Sequence, residues 1–188
     1  MGFFPDLPAA EPEPHAPHQP WEPPQAEFPG IVPIQTLILG RTDRVAVAVT
    51  GMSAFAEGFE IFVTAHIRPP GPAGEADPDP GAARRSFRFG LLLADGSKVI
   101  GEHRGRPGHG PDSGAEPHGP ALRAYLGGVG PRARFSRWWA WPLPPAGPLE
   151  FVCEWPAFGI GETRAVVDAG LILAAAGRST RLWPENGA

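Results

Sequence analysis

Cys153 is the only cysteine in 188 residues, so no internal disulfide can form. Its place between Val152 and Glu154 in an alternating run reads as a small buried hydrophobe and not as a redox or nucleophilic thiol. Lysine is equally scarce. Lys98 stands alone beside fifteen arginines, a bias that reflects a GC-rich genome more than a function. The chain does not open on a basic stretch followed by an apolar one, and no apolar run reaches membrane-spanning length. The expectation is therefore a cytoplasmic protein with no membrane segment. Lipidation is not indicated either, because Asp6 stands where a myristoylation pattern needs Ser or Thr.

Enzyme motifs are missing as well. There is no G-x-S-x-G elbow, P-loop or H-E-x-x-H, and the run from Gly127 to Gly130 lacks the third glycine and following helix of a dinucleotide fingerprint. Asp77, Asp79 and Gly81 open like a calcium loop, but Arg88 stands where the bidentate Glu is required. No cofactor is implied. The net charge of −4 and the scattered arginines disfavour nucleic-acid binding, with Arg84, Arg85 and Arg88 the only local cluster. His103, His109 and His118 share one Gly/Pro loop, residues 103–120, without metal-ligand spacing, and read as solvated instead of metal-binding.

What is abundant is proline. Residues 1–33 hold ten prolines and five acids with no Lys or Arg, so they read as an acidic Pro-rich arm preceding a body of residues 34–188. Pro5, Pro8, Pro14, Pro17, Pro20, Pro23 and Pro29 fall in one register of three, which a polyproline II helix would line up on one edge. Such an edge can dock in a partner's groove with Trp21 and Phe28 as anchors, or be incidental to a free tail. A third reading lays Trp21 to Val32 across the chain's own body.

From Ile34 onward, short apolar runs alternate with turn residues, the texture of an all-β chain. Strands are expected at 34–39, at 44–52 with Val45, Val47 and Val49 on one face, and at 59–67 with Phe59, Ile61, Val63 and Ile67 inward. Residues 69–83 read as a loop. Arg85 to Leu93 turns inward Phe87, Phe89, Leu91 and Leu93, and Asp95-Gly96 signals a hairpin into 98–102. After strands at 121–126 and 162–167, Asp168 caps a short helix that ends at Gly177. Trp183 is expected to fold back onto the body.

The densest apolar stretch is Trp138 to Pro156, with four of the six tryptophans and five prolines. It reads as two strands joined by a stiff proline loop into a hairpin. Phe135, Trp139 and Trp141 would share one face, and Leu149, Phe151, Cys153 and Trp155 the inward face of the next strand. Trp138 must then point the other way, which makes it the candidate exposed contact. Glu150 and Glu154 lie on the outward face. There they can act as an acid–base pair or face arginines across the sheet, Arg134 or Arg137. The whole suggests an antiparallel, immunoglobulin-like β-sandwich with one short C-terminal helix, a closed barrel being the alternative.

WPLPPAGPLEFVCEWP, with FRFGLLLADGSKV and the final Leu182-Trp183, resembles an uncharacterised actinobacterial protein family carrying a WPLPP-x-GPL-x-F-x-CEWP core. That resemblance implies no activity and no catalytic residue. The expected function is a non-enzymatic protein-interaction or structural module that docks a protein partner through the arm or the Trp-rich hairpin, with Trp21, Phe28 and Trp138 as binding residues. A small-ligand or carbohydrate binder using exposed Trp is the alternative, and a hydrolase using Glu150 and Glu154 a distant third. A homo-oligomer through exchanged strands or arms is compatible with either of the first two.

Overall fold

A computed structural model describes residues 19–69, 78–103, 117–130 and 132–183. The strands are β1 (Glu27–Phe28), β2 (Gly30–Ile31), β3 (Leu37–Arg41), β4 (Val45–Ala54), β5 (Phe59–Ile67), β6 (Arg88–Leu92), β7 (Lys98–Ile100) and β8 (Glu102–His103). They continue with β9 (Ala121–Val129), β10 (Ala133–Trp141), β11 (Pro148–Trp155), β12 (Ile160–Asp168) and β13 (Thr180–Arg181). Helix α1 (Pro80–Ser86) precedes β6, and α2 (Ala169–Ala176) follows β12. The larger sheet runs β2-β4-β5-β10-β9-β8, with β3 also on β4; the smaller runs β12-β11-β6-β7; β1 pairs with β13 apart from both. All pairing is antiparallel except β8 on β9. Among the described residues the sheets stay open and form no barrel.

One apolar core lies between the two sheets. Val45, Val47, Val49, Phe59, Ile61, Val63 and Trp138 of the larger sheet join Phe89, Leu91, Leu149, Phe151, Cys153 and Trp155 of the smaller in a single buried cluster. Phe89 meets Trp138 at 5.2 Å and stacks on Phe151 at 6.1 Å, so aromatic rings bridge the two sheets. Helix α2 closes one end, with Ala169, Ile172, Ala175 and Ala176 buried. Its start is set by Asp168, whose carboxylate accepts the Gly170 N–H at 2.8 Å.

Two bulges decide which residues face outward. A register shift between Val49 and Gly51 reverses the alternation of β4, so Met52 and Ala54 join the core while Ser53 turns out. A second shift lies opposite Arg137 and Trp138, and Tyr125 is the extra residue on β9. The Asp95-Gly96 turn forms as its sequence expects. Gly96 takes φ +86° and Asp95 accepts the Ser97 N–H at 2.8 Å. That bond holds the Asp95 carboxyl below its ordinary value.

Several expectations are corrected. Residues 134–141 and 149–155 do not form a hairpin: β10 belongs to the larger sheet and β11 to the smaller, and the proline loop carries the chain across the core. A loop with Pro142, Pro144 and Pro145 offers no N–H at those positions to continue a ladder, so the strand ends and the chain can change layers. The faces of β10 are also reversed. Trp138 and Ala140 enter the core while Phe135 is 53% exposed.

Helix α1 occupies the end of the expected 69–83 loop and the start of the expected strand at Arg85. The indole N–H of buried Trp155 donates to the Ala83 carbonyl at 2.7 Å, and that acceptor requires a covering element. Trp183 does not fold back: it is 65% exposed, although the neighbouring Leu182 N–H donates to Ala26.

The strand expected at 34–39 is β3, which begins at Leu37 and not at Ile34. Residues 27–32, placed on the arm side of residue 33, pair into the fold: Glu27 and Phe28 with Arg181 and Thr180, Gly30 and Ile31 with Ala54 and Ser53. Pro5, Pro8, Pro14, Pro17, Asp77 and His109 lie outside the described residues.

Candidate functional site

The outer face of the larger sheet carries one residue per strand in a transverse row. Ile31, Ser53, Glu60, Trp139, Arg123 and Glu102 stand opposite one another across β2, β4, β5, β10, β9 and β8. The middle of this row is buried although it lies outside the core between the sheets: Ser53 is 2% exposed, Trp139 3% and Glu60 8%. The Glu60 carboxylate is satisfied there. It accepts the Ser53 hydroxyl at 2.9 Å and the Tyr125 hydroxyl, which the β9 bulge delivers to it.

The chain's own N-terminal segment covers part of this face. Trp139 donates its indole N–H to the Trp21 carbonyl at 2.9 Å, and Glu27 accepts the Ala56 N–H at 2.8 Å. Trp21 to Val32 thus lies across the body, the third of the readings made from sequence. Trp21 is half-buried and Phe28 is 64% exposed. The threefold proline edge is broken at Pro20-Trp21, the centre of a turn closed by the Glu22 N–H on the Gln19 carbonyl at 3.0 Å.

Trp139 is held by the body itself. Phe55 approaches it edge-on at 5.5 Å, and a Cβ on Gly58 would stand 2.5 Å from its ring. Only glycine lets the indole lie so close to the β4–β5 turn. Beyond Trp139 the same face is open. It presents Phe135 and Leu126, 53% and 48% exposed, beside half-buried Phe62, over which Arg137 stacks at 5.0 Å.

The strand ends at this end of the sheet gather Arg68, Arg132 and His66, all exposed, with half-buried Arg44 and exposed Asp43. Arg68 N–H donates to Arg44 at 2.7 Å and Ile67 N–H to Arg132 at 2.8 Å, so residues far apart in sequence become neighbours. Sequence reading missed this rim, and it set Trp139 on one face with Phe135 and Trp141 without its bond to Trp21. Pairing of β4, β5 and β10 could have revealed the rim, and the Thr50-Gly51 break in the valine alternation was the signal for the bulge.

The other candidate residues fall elsewhere. Trp138, expected exposed, is fully buried against Phe89 and Gly101, its indole N–H on Ser136 at 2.9 Å. It has no ring face to offer a ligand. Glu154 and Glu150 are each engaged by an arginine of a neighbouring strand, but not by Arg134 or Arg137. Arg88 binds Glu154 at 2.8 Å, and Arg164 binds Glu150 at 3.1 Å and Glu162 at 2.9 Å. Those contacts raise the Arg164 guanidinium further, Glu162 most. Arg134 instead stands 5.6 Å over the Trp155 ring.

Burial first, then neighbouring Glu154, pushes the Cys153 thiol up to about 12. His118 is exposed beside a cleft of about 260 Å³ that also touches Lys98, Glu102 and Arg123. Among the described residues no three His, Cys, Asp or Glu side chains are grouped to hold a metal ion, and no helix is long and apolar enough to cross a membrane. Comparison with protein-family models, curated proteins and solved structures gives no match.

Proposed function

We propose that this chain is a non-enzymatic protein-interaction module, an immunoglobulin-like β-sandwich whose contact surface is the outer face of the larger sheet. The observation that carries the reading is the group of aromatic rings and arginine on the outer face of the larger sheet. On the smaller sheet the outward Arg88, Glu150, Glu154, Glu162 and Arg164 are joined in ion pairs, and the exposed apolar residues beside them, Ile100 and Val166, are aliphatic. On the larger sheet Phe135 and Leu126 stand in water beside Phe62 and Arg137. Aromatic residues and arginine with few acids are the composition of the centre of a protein contact. Trp138 is in the core and Trp21 is seated on Trp139, so the reading places the contact on Phe135, Leu126, Phe62 and Arg137.

Affinity purification of the wild type and a Phe135→Asp variant, compared by quantitative mass spectrometry, tests this. The reading expects a protein retained by the wild type and lost by the variant, with both folded by circular dichroism. Identical sets of retained proteins would remove it.

A further inference from the structure

Resting on that reading, we infer that the groove walled by Trp139 and Phe55 recognises proline-rich segments of partner proteins through a backbone carbonyl that prolines flank. Residues 19–24 of the chain occupy it as an intramolecular stand-in.

The seated segment shows the chemistry of the ligand. Prolines remove N–H groups and leave carbonyls without partners in regular structure, so a surface that binds such a stretch needs a donor and an apolar wall. Trp139 is that donor, its N–H 2.9 Å from the Trp21 carbonyl, and the Trp139–Phe55 pair is that wall. The donor is positioned without help from the segment, because Phe55 and the close approach of Gly58 both belong to the body.

The occupant is held imperfectly. Its Trp21 indole N–H is buried with no protein acceptor among the described residues, which leaves a desolvation cost uncompensated. Release of residues 19–24 also leaves the next stretch tied down. Glu27 on Ala56, the β1–β13 pairs and the β2–β4 pairs anchor it independently. A segment that opens locally on a fixed tether is a built-in competitor for a partner of the same pattern.

The test is calorimetric titration of the full chain with a synthetic peptide of residues 19–26, QPWEPPQA, capped at both ends. A seated segment that fills the groove nine-tenths of the time would weaken the apparent affinity about tenfold. Trp21→Ala in the full chain should therefore bind the peptide about tenfold more tightly than the wild type, one to one, and Trp21→Ala with Trp139→Phe should lose that gain. No saturable heat from folded Trp21→Ala at millimolar peptide overturns the inference. If Trp21→Ala fails to fold, a peptide with a benzophenone in place of its tryptophan is cross-linked to the wild type. Adducts at Phe55, Trp139 or Gly58 support the groove, and adducts confined elsewhere overturn it. Failure here, with a partner still retained through Phe135, rejects the peptide chemistry and leaves the interaction reading standing.

Discussion

Replacing Trp138 by alanine tests the placement of the Trp-rich segment in the fold. The ring is fully buried, meets Phe89 of the opposite sheet at 5.2 Å and lies so close to Gly101 that a Cβ there would be 2.5 Å from it. A ring clamped between two sheets leaves a cavity that the backbone around Gly101 cannot easily fill. Trp→Ala at such a site costs about 3–5 kcal/mol, a large part of a stability of roughly 5–15 kcal/mol. With a urea m-value of about 2 kcal/mol/M the midpoint should fall by roughly 2 M. Urea unfolding followed by far-UV circular dichroism, with Trp138→Phe as the milder control, reads this directly. A loss below about 1 kcal/mol would mean that Trp138 sits at the surface, as its sequence context first suggests.

Gly30→Ala should destabilise by about 1–3 kcal/mol in thermal melts, because the new Cβ would stand 1.9 Å from the Ala175 carbonyl and push β2 from α2; an unchanged melting temperature would contradict that packing. Cys153 should resist alkylation at pH 8 in the folded protein and react once unfolded. Its thiol pKa is raised, so the stability it contributes is complete below the unfolded value and declines as pH rises from about 9 toward 12. Iodoacetamide labelling and urea melts at pH 8 and 10.5 check both. Arg88→Ala should cost no more than about 1 kcal/mol, since its ion pair with Glu154 is largely exposed, and a larger loss would show that the pair is a structural clamp.

Where local chemistry decides the structure, the sequence was readable. Asp95-Gly96 made its hairpin, and Asp168 and Gly177 bounded α2, because a turn or a cap is fixed by a few adjacent residues. The β4 and β5 strands followed their valine, isoleucine and phenylalanine alternation for the same reason. What failed was set by distant partners. The face of Trp138 depends on which sheet β10 joins.

Helix α1 exists beneath a Trp155 indole 72 positions away, which no local pattern encodes. The candidate site was the least legible of all. Trp139 and Trp21 are joined across 118 positions, and the arginines at the sheet end meet only through strand pairing. Trp138, expected at the surface, was misplaced because two sheets, not one hairpin, had to share the aromatic payload.

Hydrogen exchange of the tryptophan indole protons by NMR tests most directly whether the N-terminal segment is a separable occupant of the Trp139 groove. The Trp138 and Trp155 indoles, bonded inside the core to Ser136 and Ala83, should exchange only through global unfolding, their rates climbing with added urea. Trp139, bonded to the Trp21 carbonyl, should be protected but exchange by local opening, faster than those two and nearly independent of urea. If Trp139 instead tracks Trp138 and Trp155 in rate and urea dependence, the segment is an inseparable part of the fold and the groove has no exchangeable occupant.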